Sequence, residues 1–366
     1  MNKVLKNPTG TITNEIPKRG SCCSSSSSRS ETISLLSETA IPAIKSTSGD
    51  ITPANRRDHL MARLGVKREQ HLIELGLYAM GKPTKESPVF VSANYTLSFD
   101  ALRSALHGND CYILVLDTKG INVWCAAGKG TFGTDELVHR IEAVGLNDVV
   151  NHRTLIVPQL GATGVDAREV RRRSGFKVEF GPVRASDLPE YLKTHQATEE
   201  MRRVRFTLSD RIVLIPVEMK NFLPPVLIAS VILALTGNYT AAVAAIAATF
   251  SGLVLFPILL PWIPTTDFST KGFIIGGLVA LPFAFNSFYG MDETIWLRYG
   301  WALAYMLVMP PISAFLALNF TGSSTFTSVT GVKREIFTYM TKIAWMSGIG
   351  IILVIVLSSI KILGGI

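Results

Sequence analysis

Cysteine is scarce in this sequence, and its distribution rules out several kinds of site. The chain of 366 residues has four cysteines, of which Cys22 and Cys23 are adjacent in a serine tract. Cys111 and Cys125 are isolated, so the sequence shows neither a disulfide framework nor a zinc-type cysteine pair. No two cysteines are separated by two residues, so the chain is not expected to hold an iron–sulfur cluster by itself. We expect a reduced, cytoplasmic setting for Cys125.

Charge is scarce in the second half of the chain. Long apolar runs begin near Phe222, whereas most charged residues precede it. With 48% hydrophobic residues and a mean hydropathy of +0.31, this division predicts a soluble domain followed by a membrane domain. The net charge of +8 does not indicate nucleic-acid binding, because the basic residues lack interleaved aromatic side chains. We expect them to face an anionic membrane leaflet.

The order of predicted elements indicates an α/β fold. Residues 1–50 are rich in Ser and Thr, lack the apolar core of a secretory signal, and are predicted to be disordered. Residues 51–86 are predicted to form two amphipathic helices. In the domain at 87–200, strands alternate with helices, which predicts a doubly wound, mostly parallel, Rossmann-like sheet. The predicted strands are 89–92, 111–116, 154–157 and 177–180, and the predicted helices are 98–106 (N-cap Ser98), 134–144 (N-cap Thr134), 166–173 and 186–194.

Hydropathy predicts an all-α transmembrane domain of about five helices at residues 222–366, joined by a linker at 201–221. Pro224 and Pro225 are expected to break the start of the first span. We expect a multi-pass protein of the inner membrane, with lipid as a partner and the soluble domain on the cytoplasmic face, because this orientation satisfies the positive-inside rule. No predicted span has an internal charged residue suited to ion relay, which disfavours a transporter. The predicted spans are 222–237, 240–263, 271–290, 297–319 and 342–364.

A short helix predicted at 121–130 has the most reactive side chain of the sheet domain. It follows the predicted strand 111–116 after a turn. With Asn122 as the N-cap, Cys125 is at the third helical position, where unpaired N–H groups and the helix dipole favour a thiolate. Gly128 leaves the helix face beside the sulfur flat, so that a flat ligand can approach it. The commoner alternative is a small buried cysteine on a packed helix.

A glycine-containing loop follows the next predicted strand at the same edge of the sheet. Residues 161–164 read Gly-Ala-Thr-Gly and precede a predicted helix. This arrangement is typical of a phosphate-binding loop and equally of a plain tight turn. The stretch Gly128-Lys129-Gly130-Thr131 departs from the P-loop pattern at two positions. Two loops at one sheet edge can frame a single cofactor.

The motif Asn122-Val123-Trp124-Cys125-Ala126-Ala127-Gly128-Lys129 closely resembles the cap-helix motif of the mercury-methylating corrinoid protein family (HgcA). The wider relatives of that family are the large corrinoid subunits of the acetyl-CoA pathway. The resemblance extends from about Leu77 to the C-terminus. Further segments that look like the family's are 87–89, 93–95, 97–100 and 157–161.

This resemblance implies a cobalamin-type corrinoid, bound base-off, with the Cys125 thiolate as the lower ligand of cobalt. The Asp-x-His-x-x-Gly pattern, which supplies a histidine ligand in many corrinoid domains, is absent from the sequence. A thiolate donates more electron density than an imidazole, which suits transfer of a cobalt-bound methyl group to Hg(II), giving methylmercury. The implied cofactor contacts, besides Cys125, are Asn94, Thr96, Asn122, Val123, Trp124, Ala126, Ala127, Gly128, Lys129, Gly161, Thr163 and Gly164.

The resemblance also implies partners. A dicluster ferredoxin-like protein (HgcB type) would donate electrons, and a methyltetrahydrofolate-linked system would donate the methyl group. Two other functions stay open: a membrane-anchored methyl-carrier corrinoid protein of one-carbon metabolism, and a non-enzymatic membrane scaffold or transporter with a ligand-sensing domain. The hydroxyl-rich segment 319–335 is typical of a flexible linker, whereas its similarity to a corrinoid-subunit segment predicts contact with the corrinoid or the soluble domain.

Overall fold

The structure, a computed structural model, describes residues 43–290, 293–324 and 329–363. The disorder predicted for residues 1–42 lies outside the described residues. Residues 45–47, which were included in that prediction, instead form strand β1. Their backbone pairs with a second strand, and Lys45 Nζ lies 2.6 Å from a carboxylate oxygen of Glu74.

A mixed six-stranded sheet organises the first part of the described chain, in the order β1-β2-β4-β3-β5-β6. β3, β4, β5 and β6 are parallel to one another, while β1 and β2 run antiparallel to them. The strands predicted at 111–116, 154–157 and 177–180 are confirmed, and the strand predicted at 89–92 extends to Ala93. The strands are β1 Lys45–Thr47, β2 Gly76–Met80, β3 Val89–Ala93, β4 Cys111–Leu116, β5 Thr154–Val157 and β6 Lys177–Phe180.

Eight helices accompany these strands, and together they form what we call the sheet domain. The central strands β3 and β4 are buried along their whole length, as parallel strands covered on both faces are. Val91 and Leu114 pack towards α4 and α6 on one face, and Phe90 and Ile113 pack towards α2 and α7 on the other. The fold is therefore doubly wound, as predicted. The helices are α1 Pro53–Arg63, α2 Thr96–Ala105, α3 Val123–Lys129, α4 Thr134–Ala143, α5 Leu146–Val149, α6 Ala167–Ser174, α7 Leu188–Thr194 and α8 Glu199–Arg202.

Two predicted helix starts are wrong. α2 begins at Thr96, directly after the extended residue Tyr95, so Ser98 lies inside the helix. The start is early because Tyr95 bridges to Leu72 as a strand residue. In α4 the N-cap is Gly133, and the Thr134 hydroxyl instead accepts a hydrogen bond from Asp166 N at 2.9 Å. The helix predicted at 186–194 begins as a 3₁₀ turn before α7.

The second helix predicted within 51–86 is wrong. Residues 76–80 form β2, whose register with β4 runs from Gly76 opposite Val115 to Met80 opposite Cys111. As a strand, this segment covers the edge of β4, whose backbone groups would otherwise lack partners. Leu77 and Met80 are buried against the two cores.

Among the residues that the structure describes, five helical stretches are long and apolar enough to cross a membrane, which agrees with the predicted number. We call α9–α15 the membrane helices. They pack closely where residues are small, because a Cβ on Gly272 would lie 2.6 Å from Ala314 Cα. The stretches are Leu208–Leu235, Tyr239–Leu259, Phe268–Tyr289, Ile295–Phe320 and Thr330–Ile360. Their elements are α9 Leu208–Ile212, α10 Ile215–Leu235, α11 Tyr239–Phe250, a π-helix Ser251–Leu255, α12 Phe256–Leu259, α13 Phe268–Tyr289, α14 Ile295–Phe320 and α15 Val329–Leu363.

The helices start earlier than hydropathy predicted. α10 runs through Pro224 and Pro225 without a break, so the predicted break at the start of the first span is wrong. α15 begins at Val329 rather than 342, and residues 208–221 of the predicted linker are helical. The extended spans contain the buried residues Arg211, Lys271 and Glu335. These charged residues lie near the ends of the spans, because a hydrogen-bonded helix continues beyond its apolar run, and the expectation that no span has an internal charge suited to ion relay stays a prediction.

Candidate cofactor-binding site

The carboxyl ends of β3, β4, β5 and β6 lie at one edge of the sheet. In the sheet, β4 lies on one side of β3, and β5 followed by β6 lies on the other side. Ligands of such sheets bind beyond the carboxyl ends, where the strand order reverses. The loops that follow β3, β4 and β5 meet at this point.

Asn94, the first residue after β3, fixes the loop after β4. Its Oδ1 accepts hydrogen bonds from Thr118 N at 3.0 Å and from Gly120 N at 3.1 Å. Gly120 has φ +67°, and a Cβ there would lie 2.8 Å from Leu72 Cδ2. Asn94 is 5% exposed. Asn94 therefore holds the loop that leads into α3.

The short helix α3 presents Cys125 as the sequence predicts. Asn122 is its N-cap, and Asn122 Oδ1 accepts a hydrogen bond from Cys125 N at 2.9 Å. Cys125 is thus the third helical residue and is half-buried. Ala126 and Ala127 are buried in the sheet-domain core. The helix therefore faces the core with its alanines and leaves the Cys125 side at the edge of the sheet.

A cavity of ≈ 690 Å³ lies beside Cys125. On the sheet-domain side it is lined by the segment 120–125, by residues of α2 such as Ser98, and by Pro158 and Leu160 after β5. On the opposite side it is lined by α10 of the membrane helices. The cavity is therefore a space between the sheet edge and the first membrane helix, large enough for a sizeable ligand.

The structure brings only some of the predicted contacts to this cavity. Asn122, Val123, Trp124 and Cys125 line it. The other predicted contacts do not line it. The buried ones are Asn94, Thr96, Ala126, Ala127 and Gly161, the half-buried one is Gly164, and the exposed ones are Gly128, Lys129 and Thr163.

The two glycines of the loop after β5 pack behind α3. A Cβ on Gly164 would lie 2.2 Å from Phe132 O and 3.1 Å from Ala127 Cα. A Cβ on Gly161 would lie 2.5 Å from the Phe132 ring. A side chain at either position would push α3 away from the sheet, so the glycines set the position of the helix that presents Cys125.

Sequence reasoning missed the residues that the membrane helices contribute. Leu214, Val217, Glu218 and Asn221 line the cavity and recur at helical spacing along one face of the polypeptide around α10. Glu218 and Asn221, which with Lys220 interrupt an otherwise apolar run, were a usable signal. Gly322 also lines the cavity, and the predicted contact of the segment 319–335 with the corrinoid or the soluble domain stays a prediction.

His71 is a second missed residue, and it is buried in the cavity wall. Its Nδ1 lies 2.7 Å from Asp58 Oδ1, and its Nε2 lies 2.8 Å from Val66 O. Both ring nitrogens face oxygen acceptors, so both bonds form only when the ring has two protons. No sequence pattern indicated this pairing, because α1 and the 3₁₀ turn after it had to be placed first.

The two cysteines of the sheet domain have different environments. Cys111 has no exposed surface, and burial raises its pKa to about 12, with a smaller contribution from the charge of Asp110. Cys111 therefore stays a thiol at neutral pH. Cys125 is half-buried beside the cavity, where a ligand can reach its sulfur.

This edge of the sheet lies in a part of the chain that is similar to known proteins. Residues 68–192 match the family model described as the CO dehydrogenase/acetyl-CoA synthase delta subunit. The chain is also similar to gamma subunits of the acetyl-CoA decarbonylase/synthase complex. The subunit of Methanopyrus kandleri is 34% identical over 128 residues, 34% of this chain and 27% of that protein. The subunit of Methanosarcina acetivorans is 30% identical over 125 residues (33% and 26%), and that of Archaeoglobus fulgidus 30% over 130 residues (35% and 27%).

The match has clear limits along the chain. It includes β2 to β6 and α3 but none of the membrane helices. The matched part of this chain spans about a quarter of the length of these relatives. The cavity wall formed by the segment 120–125 lies inside the matched region, while the wall formed by α10 lies outside it.

Proposed function

We propose that this chain is a membrane-anchored corrinoid protein that carries a methyl group in one-carbon metabolism. The observation that supports this most is the cavity beside Cys125, at the carboxyl edge of a sheet similar to subunits of acetyl-CoA-synthesising complexes. The membrane helices would anchor this domain and close the cavity from one side.

The residues at the cavity fit a corrinoid. A corrin is a broad, flat ring whose rim has amide groups, and bound cobalt accepts and releases a methyl group. The apolar wall residues Val123, Leu160 and Val217 suit the ring, and the polar Ser98, Asn122 and Asn221 suit its rim. Cys125 supplies a sulfur, a soft ligand suited to a metal centre.

In this proposal Cys125 would hold the cobalt through its thiolate sulfur. Asn122 keeps the cysteine in place by capping α3 through Cys125 N. Asn94, Gly161 and Gly164 position the loops around α3 and do not touch the ligand. Lys129, at the last turn of α3, is exposed and does not line the cavity.

Mercury methylation is a second candidate function, and the sulfur of Cys125 is the observation that favours it. A thiolate donates electron density more strongly than the imidazole of histidine-ligated corrinoid domains. Strong donation favours transfer of the methyl group as an electron-rich carbon, and Hg(II) is an acceptor that takes it in this form. The methyl-carrier function requires no such preference.

The partners and location are part of the proposal. Because the described residues bring no cysteine cluster together, a dicluster ferredoxin-like protein would supply electrons. A methyltetrahydrofolate-linked system would supply the methyl group. The sheet domain would lie on the cytoplasmic face of the inner membrane, where these soluble partners are found.

The cofactor assignment is tested by reconstituting the full-length protein, in detergent, with a corrinoid. We expect the protein to retain the corrinoid through gel filtration and to give a visible spectrum that changes in Cys125→Ala. Cys111→Val is the matched control, since it removes a thiol of the same domain that does not line the cavity, and it should keep the wild-type spectrum. Failure to retain any corrinoid contradicts the proposed function, and an unchanged spectrum in Cys125→Ala contradicts the sulfur ligand.

The two candidate functions are separated by the methyl acceptor. The methylated holoprotein is offered Hg(II) in one assay and a thiol acceptor in another, with wild type, Cys125→Ala and Cys125→His compared. Methylmercury formation that depends on Cys125 favours the second candidate. Transfer to the thiol alone, at rates that Cys125→His preserves, favours the methyl carrier.

A further inference from the structure

A second cavity, of ≈ 450 Å³, lies among the membrane helices, away from the cavity beside Cys125. It is formed where α9, α13 and α15 begin and where α12 ends, so it lies at one end of the helix bundle. We call it the basic pocket. The charged residues that line it are Arg211, Asp267, Lys271, Arg334 and Glu335.

Two cations of this pocket are buried without a carboxylate partner. Arg211 is 6% exposed and Lys271 is 8% exposed. Arg211 Nη1 donates to Pro257 O at 2.9 Å, and Lys271 Nζ donates to Leu260 O at 2.8 Å and Ile263 O at 2.9 Å. Neither side chain forms a salt bridge with any residue that the structure describes.

The hydrogen bonds to these carbonyl groups compensate only part of the buried positive charge of Arg211 and Lys271. Pro257 and Leu260 lie at the end of α12, whose dipole favours a nearby positive charge, and Ile263 lies beyond that end. However, Arg211 Nη2 donates to no residue within the described ranges, and the adjacent carboxylate of Asp210, which interacts with the Arg211 charge, is paired with Arg184. Neutral carbonyls do not cancel the remaining positive charge. A buried charge without a counter-ion destabilises the fold, as a broken buried ion pair does.

The two carboxylates of the pocket are already held by other groups. Asp267 accepts from Arg334 Nη2 at 3.3 Å and from Tyr339 Oη at 2.9 Å. Glu335 Oε1 accepts from Ser269 N at 2.6 Å and Ser269 Oγ at 2.8 Å. Three basic residues against two acidic residues leave the lining with one positive charge in excess.

We propose that the basic pocket binds the phosphate group of an anionic ligand, with Arg211 and Lys271 as the buried contacts and Arg334 at the rim. One excess positive charge matches the single negative charge of a phosphodiester. The pocket lies at the ends of membrane-crossing helices, the depth at which lipid headgroups occur, and basic pockets between membrane helices bind such headgroups. Free phosphate has the same chemistry, and the experiment separates the two sources.

The experiment uses the full-length protein in detergent and native mass spectrometry. Phosphatidylglycerol, phosphatidylcholine and inorganic phosphate are added separately, and the thermal unfolding midpoint is measured in parallel. We expect one phosphatidylglycerol to be retained about tenfold more strongly than phosphatidylcholine, the preference that roughly 1.4 kcal/mol of charge interaction gives. Inorganic phosphate is expected to leave the midpoint unchanged.

Three variants show where the ligand binds. Lys271→Gln and Arg334→Gln should lose the preference for phosphatidylglycerol. Arg334 is largely exposed, so its variant remains informative if Lys271→Gln does not fold. Lys333→Gln, the matched control, removes the same charge from an adjacent exposed residue outside the pocket and should keep the preference.

Each outcome decides the proposal. Stabilisation by inorganic phosphate that is lost in Arg334→Gln supports an anion site whose source is free phosphate. Equal retention of the two lipids, with no effect of phosphate, overturns the proposal. So does a preference for phosphatidylglycerol that Lys333→Gln and Arg334→Gln reduce equally, since that result indicates a diffuse surface attraction.

Discussion

In the sheet domain, every side chain of β3 and β4 is buried. In the first membrane-length stretch, Leu208–Leu235, only 6% of the most apolar part is buried. The central membrane helix, α14, reaches 61%. Apolar side chains therefore hold the sheet domain together by leaving water, while most of those on the membrane helices face outward. Contact between membrane helices relies instead on small residues that let backbones approach.

This comparison also explains the two cavities. The cavity beside Cys125 is formed by loops at a sheet edge, which the rigid strands below hold in place. The basic pocket is formed by helix ends, where polar backbone groups and charged side chains compensate one another. The first offers a sulfur and a largely apolar wall, and the second offers positive charge.

The largest expected effect comes from deleting side-chain volume in the sheet core. Leu114→Ala should lower the free energy of unfolding of the sheet domain by about 2–5 kcal/mol, because Leu114 is fully buried and the cavity cannot fill. Leu278→Ala is the matched control on a membrane helix, where the side chain is 63% exposed. Pulse proteolysis of the full-length protein in urea measures both. Equal losses would mean that the two regions do not differ as described.

The next effect tests the small residues of the membrane helices. Gly276→Ala should destabilise the helix bundle by about 1–3 kcal/mol, since its Cβ would lie 2.7 Å from Pro310 Cα. The neighbouring Gly277→Ala should be neutral or stabilising, because nothing lies within 4 Å of its Cβ and alanine favours a helix. The thermal unfolding midpoint in detergent compares them. A stable Gly276→Ala variant would show that α13 and α14 do not pack this closely.

Burial in the sheet core should also produce a pH dependence. The pKa of Cys111 is raised from 9.0 to about 12, so the folded state binds the thiol proton more tightly than the unfolded state. The contribution of the Cys111 thiol to the free energy of unfolding is fully present below pH 9 and decreases as the pH rises from 9 towards 12. At a pH about 1.5 units above 9, the free energy of unfolding is lower by about 2 kcal/mol. Urea unfolding at several alkaline pH values measures this slope. Cys111→Val should show a smaller slope, and an identical slope would contradict the assignment to Cys111.

The smallest expected effect lies at the sheet edge, where little burial supports the structure. Asn122→Ala removes the cap of α3 and should cost about 0.5–2 kcal/mol locally. Hydrogen exchange at Cys125 N should then be faster by roughly 2- to 30-fold. Asn122→Asp keeps an acceptor at the same position and should exchange at nearly the wild-type rate. Unchanged exchange in Asn122→Ala would show that α3 is held by its buried alanines alone.

Much of the sheet domain was predictable because its patterns are local. The run 111–116 is continuously apolar, and Asn122 is followed three residues later by the helical Cys125, so both the strand and the N-cap could be read directly. The strand at 76–80 was not predictable, because its apolar residues also fit helical spacing. Only pairing with β4 selects the extended form.

The candidate site was predictable on one side only. The segment 120–125 was identified from its own residues. α10, which lines the other side of the cavity, lies more than 80 residues after this segment in the chain. The assignment of Gly161 and Gly164 to ligand contact rested on their composition. Their closeness to Phe132 depends on where α3 and α4 pack, which no local pattern gives.

By itself, the sequence determined the alternation of strands and helices, the cap of α3 with its cysteine, and the five long apolar helices. These features depend on residues close together in the chain, whose periodicity and hydrogen bonding act locally. Only the tertiary structure decided which wall faces Cys125, that His71 is paired with Asp58, and that Arg211 and Lys271 share a pocket. Those arrangements depend on packing between distant segments, and the energy of such packing appears only when the segments meet.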